Sequence, residues 1–164
     1  MNSQSPIMLY TDGACSGNPG AGGYGIVLKW GTLCKELSEG FAETTNNRME
    51  LLAVIKGLEA IRWDKAQVIV TSDSSYVVKA INEGWLKKWR ANDFISKSGS
   101  KKTKVKNIDL WTRLIPLLEK HQVSFVWVKG HNAHPENERC DQLAVNAYKE
   151  GPLQIDKGYI DNKE

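Results

Sequence analysis

Two acids, Asp12 and Asp73, each close a short apolar run: PIMLYTD (6–12) and QVIVTSD (67–73). Runs of this length, bounded by turn-forming residues, read as largely buried strands. Acids at the C-terminal ends of neighbouring strands lie where α/β sheets place ligands. Glu50 falls in the first turn of a helix opened by TTNNRMEL, and Asp141 falls early in a last helix within HNAHPENERCD. Four carboxylates from four elements could thus meet at one end of a sheet. Clustered carboxylates repel one another and call for cations. Hard oxygen donors suit Mg²⁺ or Mn²⁺, and a pair of such ions suits in-line phosphodiester hydrolysis. Each acid also has a purely structural reading. Glu50 could be the N3 partner of Asn47 in a helix cap, Asp12 and Asp73 could stabilise turns, and Asp141 could be a solvated residue favoured by a helix dipole.

Two other chemistries compete for the same segments. Gly20, Gly22 and Gly25 satisfy G-x-G-x-x-G. A dinucleotide site needs a helix directly after those glycines, to hold the pyrophosphate at its N-terminus. Here they run into GIVLKW, a strand-like sequence, so the loop reads as a turn between antiparallel strands. His131, His134 and Cys140 could suggest zinc, and His134-Pro135-Glu136 resembles the start of a deaminase motif. The Pro-Cys-x-x-Cys that such a site needs is absent. His131 follows a strand and a glycine, where an imidazole can carry protons.

The elements that must position these residues follow from the hydrophobic pattern. After the first strand, YGIVLKW (24–30) and LCKELSEGF (33–41) read as a hairpin linked by Gly31-Thr32. Helical periodicity begins at Asn47 and runs to about Trp63. A strand over 67–73, a helix over 75–89 broken near Gly84, and a helix over 107–121 with Pro116 follow. A strand over 123–130 and a helix over 135–150 complete the pattern, and residues 96–106 read as a polar basic loop. The order β-β-β-α-β-α-α-β-α predicts an α/β fold with a mixed sheet covered by helices. The length of 164 residues suits one domain, with a compact core over 6–150 and a polar tail over 151–164.

Charge is distributed unevenly. Residues 79–106 hold nine Lys or Arg and two acids, a local charge of +7 in a chain of net charge +3, so the rest is net acidic. One basic segment on an acidic body predicts a polyanionic partner held at one place. Trp85 and Trp89 would share a helix face, interleaved with Lys87, Lys88 and Arg90, and Lys97, Lys101, Lys102, Lys104 and Lys106 follow. Aromatics among dense cations suit a nucleic-acid backbone, although buried tryptophans beside solvated lysines would give the same pattern. The three cysteines (Cys15, Cys34, Cys140) lack paired spacing and fit free thiols in the cytoplasm. No apolar run approaches the length of a membrane span, and the opening MNSQSPIMLY, with neither a basic n-region nor a long apolar h-region, carries no expectation of a signal peptide.

TDGACSGNPGAGGYG, TTNNRMEL, VTSDSSYV, KNIDLW and WVKGHNAHPENERCD stand in the order and spacing of bacterial type 1 ribonuclease H. The chain resembles that family over residues 6–150, with a weaker echo in DKGY (156–159). The resemblance implies the ribonuclease H-like fold, with a five-stranded mixed sheet of three antiparallel and then two parallel strands. It implies a monomeric endonuclease that cuts the RNA strand of RNA–DNA hybrids with two Mg²⁺ ions (or Mn²⁺), leaving 3′-hydroxyl and 5′-phosphate ends. Asp12, Glu50, Asp73 and Asp141 match the family's metal-binding catalytic acids, and His131 its mobile histidine. Cys15, Asn18, Asn46 and Asn47 match residues lining the hybrid's minor groove, where Glu50 would also accept from a 2′-hydroxyl. Thr45 and Asn107 match a pocket for a DNA-strand phosphate. Trp85, Lys87, Lys88, Trp89 and Arg90 match a basic protrusion that grips the DNA strand.

Glu43 departs from an Arg often found beside the phosphate pocket, and Ser75 from a glutamine that reaches the bases. Ala91, Asn92 and Phe94 replace two basic residues and a tryptophan of the protrusion. Two rivals remain at this point: a hybrid-binding module without activity, and a DNA nuclease of the same fold. The four acids argue against the first and the minor-groove residues against the second.

Overall fold

In the computed structural model, residues 5–98, 100–130 and 134–163 are described. Three long strands open the chain: β1 (Ile7–Cys15), β2 (Gly20–Trp30) and β3 (Leu33–Thr44). They pair antiparallel in sequence, with Gly31 turning the β2–β3 hairpin at φ +59°. Helix α1 (Asn46–Glu59) leads into β4 (Gln67–Ser72), which lies parallel to β1. Helices α2 (Ser75–Asn82) and α3 (Trp85–Ala91) follow, separated at Gly84, where φ is +78°. Then come β5 (Ile95–Ser98), β6 (Lys101–Lys104), α4 (Ile108–Lys120), β7 (Gln122–Trp127) and α5 (Pro135–Lys149). The chain finishes with β8 (Leu153–Gln154) and α6 (Lys157–Asn162).

The main sheet runs β7-β4-β1-β2-β3-β8, mixed as expected but with six strands rather than five. The sixth is β8, which pairs Leu153 and Gln154 with Gly40 and Phe41 at the β3 edge. Residues 151–164, expected as a polar tail, therefore supply β8 and α6. The expected basic loop over 96–106 also differs: β5 and β6 pair as a separate two-stranded hairpin. Helix α4 continues a turn past Pro116 to Lys120.

Helix α1 is the central core element. Leu51, Ala53, Val54, Ile55 and Leu58 are fully buried against Leu9 and Val70 of the sheet and Leu114 of α4. A fully buried Leu or Ile contributes about 1.5–3 kcal/mol, so this helix is anchored along its length. Helix α5 packs directly on β1, β2 and β3. Glycine permits that approach: a Cβ at Gly23 would stand 2.5 Å from the Ala144 carbonyl oxygen, and one at Gly40 would stand 2.7 Å from the Ala147 carbonyl carbon. The segment Gly20–Gly25, expected as part of a turn, is thus the start of β2, and no helix follows it.

Candidate active site

The parallel pairing of β1 with β4 matches Thr11 to Ser72, which brings the next residues, Asp12 and Asp73, side by side. Strand alternation sends neighbouring residues to opposite faces. Asp12 turns toward α5, where Asp141 acts on it, and Gly13 turns toward α1. The first turn of α1 lies so close to β1 that a Cβ at Gly13 would stand 2.6 Å from the Met49 carbonyl carbon. At that approach the Gly13 N–H donates to the Glu50 carboxylate and also, at 3.0 Å, to Asp12 Oδ1. The helix start is fixed by Thr45 Oγ1, which accepts from the Arg48 N–H at 3.3 Å. Thr45 is the N-cap, which leaves Glu50 free of the capping role its sequence allowed.

Ligand oxygens of Asp12, Glu50 and Asp73 lie within 4.8 Å of one another. Asp141 lines the same cleft, together with Lys129, His134, Asn137 and Glu138. Burial, and then the Asp73 charge, push the Asp12 carboxyl up to about 8; Glu50 hydrogen-bonds against that shift and Asp141 reinforces it. Glu50 is raised well above the carboxylate range by burial and by the charges of Asp12 and Asp73. Carboxylates held this close stay ionised together only beside a cation. The donor set is all oxygen and fits a hard divalent ion such as Mg²⁺ or Mn²⁺. Among the described residues this acid group is the one set of three or more His, Cys, Asp or Glu that could hold a metal.

A groove of about 590 Å³ opens beside the start of α1. Asn18, Thr45, Asn47, Lys104, Asn107 and Lys163 are among its walls. Asn18 Oδ1 accepts from the Asn46 N–H at 3.2 Å, joining the β1–β2 loop to α1. Asn107, at φ 63°, accepts from Arg48 Nη1 at 3.3 Å and donates to the Tyr76 hydroxyl at 3.1 Å. Cys15 is half-buried, and burial with the charges of Asp156 and Glu50 pushes its thiol up to about 11, so it stays protonated at neutral pH.

The model of the RNase H family matches residues 4–149. The chain belongs to the ribonuclease H family. It is 59% identical over 150 residues to Ribonuclease H of Desulforamulus reducens, covering 92% of each chain. It is 51% identical over 156 residues to Ribonuclease H of Syntrophus aciditrophicus, covering 95% of this chain and 88% of that one. Among solved structures, LC9-RNase H1 superposes with a TM-score of 0.77 at 28% identity, over 98% of this chain and 82% of that one. LC11-RNase H1, solved in complex with an RNA/DNA hybrid, superposes at 0.63 and 25% identity, over 87% and 96%. No helix among the described residues is long and apolar enough to cross a membrane.

The remaining predicted residues of this ribonuclease H occupy distinct places. His131 lies outside the described residues, as does the side chain of Lys97. His134 is the N-cap of α5, and Cys140 is fully buried beneath β2 with its thiol pKa raised, first by burial and then by Asp12, so neither forms a zinc cluster with a described neighbour. Trp85 and Trp89 do share a face of α3, with ring centroids 6.3 Å apart. Trp89 packs on Trp111 at 5.5 Å and is half-buried, while Trp85 is exposed. Lys87, Lys88 and Arg90 are exposed on the same helix.

Several site-shaping contacts were not assigned from the sequence, although their residues lie within or beside the quoted motifs. Trp127 Nε1 donates to the Asp73 carbonyl at 3.1 Å and braces that acid's backbone. Asn137 Nδ2 donates to the Thr71 carbonyl at 3.3 Å and ties α5 to β4. Arg48 is buried and held by Asp109 and Asp156 at 2.7 and 2.8 Å. These contacts join residues far apart in the chain, and no local pattern announces them.

Proposed function

We propose that this ribonuclease H hydrolyses the RNA strand of RNA–DNA hybrids, with two Mg²⁺ ions on Asp12, Glu50, Asp73 and Asp141, leaving 3′-hydroxyl and 5′-phosphate ends. The observation that carries the reading is the convergence of Asp12, Glu50 and Asp73 within 4.8 Å, with Asp141 in the same cleft. Bound divalent ions supply an activated water and charge stabilisation at a phosphodiester. The reaction adds hydroxyl to phosphorus and a proton to the departing 3′-oxygen. His131, on the segment between β7 and α5, is the proposed carrier of protons at this site.

Recognition of the hybrid divides between its strands. Glu50 accepts from a 2′-hydroxyl of the RNA, the group that distinguishes RNA from DNA at one site. Cys15, Asn18, Asn46 and Asn47 follow the minor groove, and Thr45 with Asn107 holds a DNA-strand phosphate. The arm formed by α3 and the β5–β6 hairpin, with Trp85, Lys87, Lys88, Trp89 and Arg90, follows the DNA backbone and positions it without reading sequence. The hybrid captured on LC11-RNase H1 supports this substrate class. The enzyme acts as a monomer, and the three free cysteines favour the cytoplasm as its compartment.

The test uses four duplexes, each end-labelled on one strand: hybrid labelled on RNA, hybrid labelled on DNA, RNA duplex and DNA duplex. With Mg²⁺, the RNA strand of the hybrid alone should shorten, and chelation should stop it. Cleavage of the DNA duplex at a comparable rate would contradict the assignment.

A further inference from the structure

Helix α6 and its C-cap line the groove beside α1 through Tyr159, Asn162 and Lys163, in company with Thr45 and Asn107. The helix is short but firmly seated. Asp156, 8% exposed, caps it by accepting from the Tyr159 N–H at 3.2 Å. The same carboxylate accepts from Thr44 Oγ1 at 2.6 Å and from Arg48 Nε at 2.8 Å. Glycine at 158 lets the helix backbone rest on this layer, since a Cβ there would lie 2.5 Å from Arg48 Nη2. The pairing of β8 with β3 fastens the segment from the other side.

The electrostatics of the groove floor make this wall matter. Arg48 is its buried cation, but two carboxylates, Asp109 and Asp156, take up its guanidinium. One positive charge against two negative ones leaves the floor net negative. A polyanion can lie over it only if the walls outweigh that charge. Lys104 and Lys106 do so from the arm side, and Lys163 does so from the α6 side. Lys163 Nζ stands 3.4 Å from Glu43 Oε2, with the two side chains 47% and 41% exposed. A pair this open to solvent is weak and exchanges readily for a stronger partner.

We propose that Lys163 is a substrate-positioning residue: its ammonium leaves Glu43 and neutralises a backbone phosphate of the strand lying in the groove. This rests on the reading above, in which a nucleic-acid strand occupies that groove. Glu43 then acts as a competitor for the same ammonium, which keeps the wall from binding anions indiscriminately when the groove is empty.

The experiment is steady-state cleavage of the RNA–DNA hybrid over a range of salt concentrations, for wild type, Lys163→Ala, Lys163→Arg, Glu43→Gln and Lys157→Ala. Lys163→Ala should raise KM by about three- to tenfold, with a much smaller change in kcat. The plot of log(kcat/KM) against log salt should flatten by about 0.7–0.9, the loss of one released counterion. Lys163→Arg should restore both. Glu43→Gln should lower KM, because it frees the ammonium. Lys157 pairs with Asp161 on α6, so Lys157→Ala controls for bulk charge and should leave the slope unchanged. An unchanged slope in Lys163→Ala, or an equal loss in Lys157→Ala, overturns the proposal while wild-type cleavage of the hybrid still stands. Failure of the wild type to cleave the hybrid would instead overturn the reading beneath it.

Discussion

Asp12 is 7% exposed and lies on a strand paired on both sides, by β2 and by β4. Lys101 and Lys102 stand exposed on a four-residue strand whose sheet has two strands in all. The acids are aimed by backbone register and by close contact between core elements, so an error anywhere in that contact moves all of them. The lysines project from a short hairpin tied to the core through partners such as Phe94 and Val105, and in the proposed function each would act on the substrate as a separate charge. Chemistry that depends on sub-ångström placement sits on the rigid region. Attraction to a phosphate backbone tolerates looseness, which suits the role proposed for the hairpin. Damage to the first region should therefore be abrupt, and damage to the second graded.

Gly13→Ala should break the first region most severely. The added methyl has no room beside Met49, so α1 must retreat and carry Glu50 with it. The rate at saturating substrate should fall a hundredfold or more, about 2.7 kcal/mol of barrier, and the melting temperature should fall too. Rate and melting temperature near wild type would show that Glu50 is not placed by this contact.

Asp12→Asn should separate stability from activity. In the metal-free protein the Asp12 pKa is raised to about 8 from 3.8. A raised carboxyl pKa stabilises the fold below the unfolded value, and that contribution is lost as pH rises through the folded value. Between pH 4 and 8 the metal-free wild type should thus lose stability that Asp12→Asn retains. Near pH 8 without metal, the variant should melt higher by about 3–8 °C, or about 1–3 kcal/mol. A variant that melts lower than wild type under those conditions would show that the acids are not strained by mutual repulsion.

Replacing Lys101, Lys102 and Lys104 with Ala should have the smallest and most graded effect. KM should rise about tenfold near physiological salt, the salt slope should flatten by about one to three, and kcat should change little. Single replacements should divide that loss among themselves. An unchanged slope in the triple variant would make these lysines a solvated surface.

The contrast also governs what was legible in the sequence. Asp12 and Asp73 could be read because a buried strand is a contiguous apolar run, and an acid at its end breaks the pattern. The break at Gly84 and the hairpin at Gly31 were legible for a similar reason, since positive φ favours glycine. The β5–β6 hairpin was not, because SKSGSKKTK is polar on both faces and has no alternation to reveal a strand. The glycines of β2 looked like loop residues, since their role is to admit α5, which lies more than a hundred positions away. The Arg48–Asp156 contact spans 108 positions and turns a polar tail into part of the groove. Long-range burial of charge leaves no periodic trace.

One titration tests the acid cluster most directly. An end-labelled hybrid is incubated with wild type and with Asp12→Asn across a range of Mg²⁺ concentrations, and hybrid binding is measured in parallel. Wild-type shortening of the RNA strand should rise with Mg²⁺ and saturate, while Asp12→Asn binds the hybrid with similar affinity and leaves the RNA intact at every concentration. Wild-type cleavage that persists in a chelator, or equal turnover by Asp12→Asn, would contradict a metal-dependent carboxylate site.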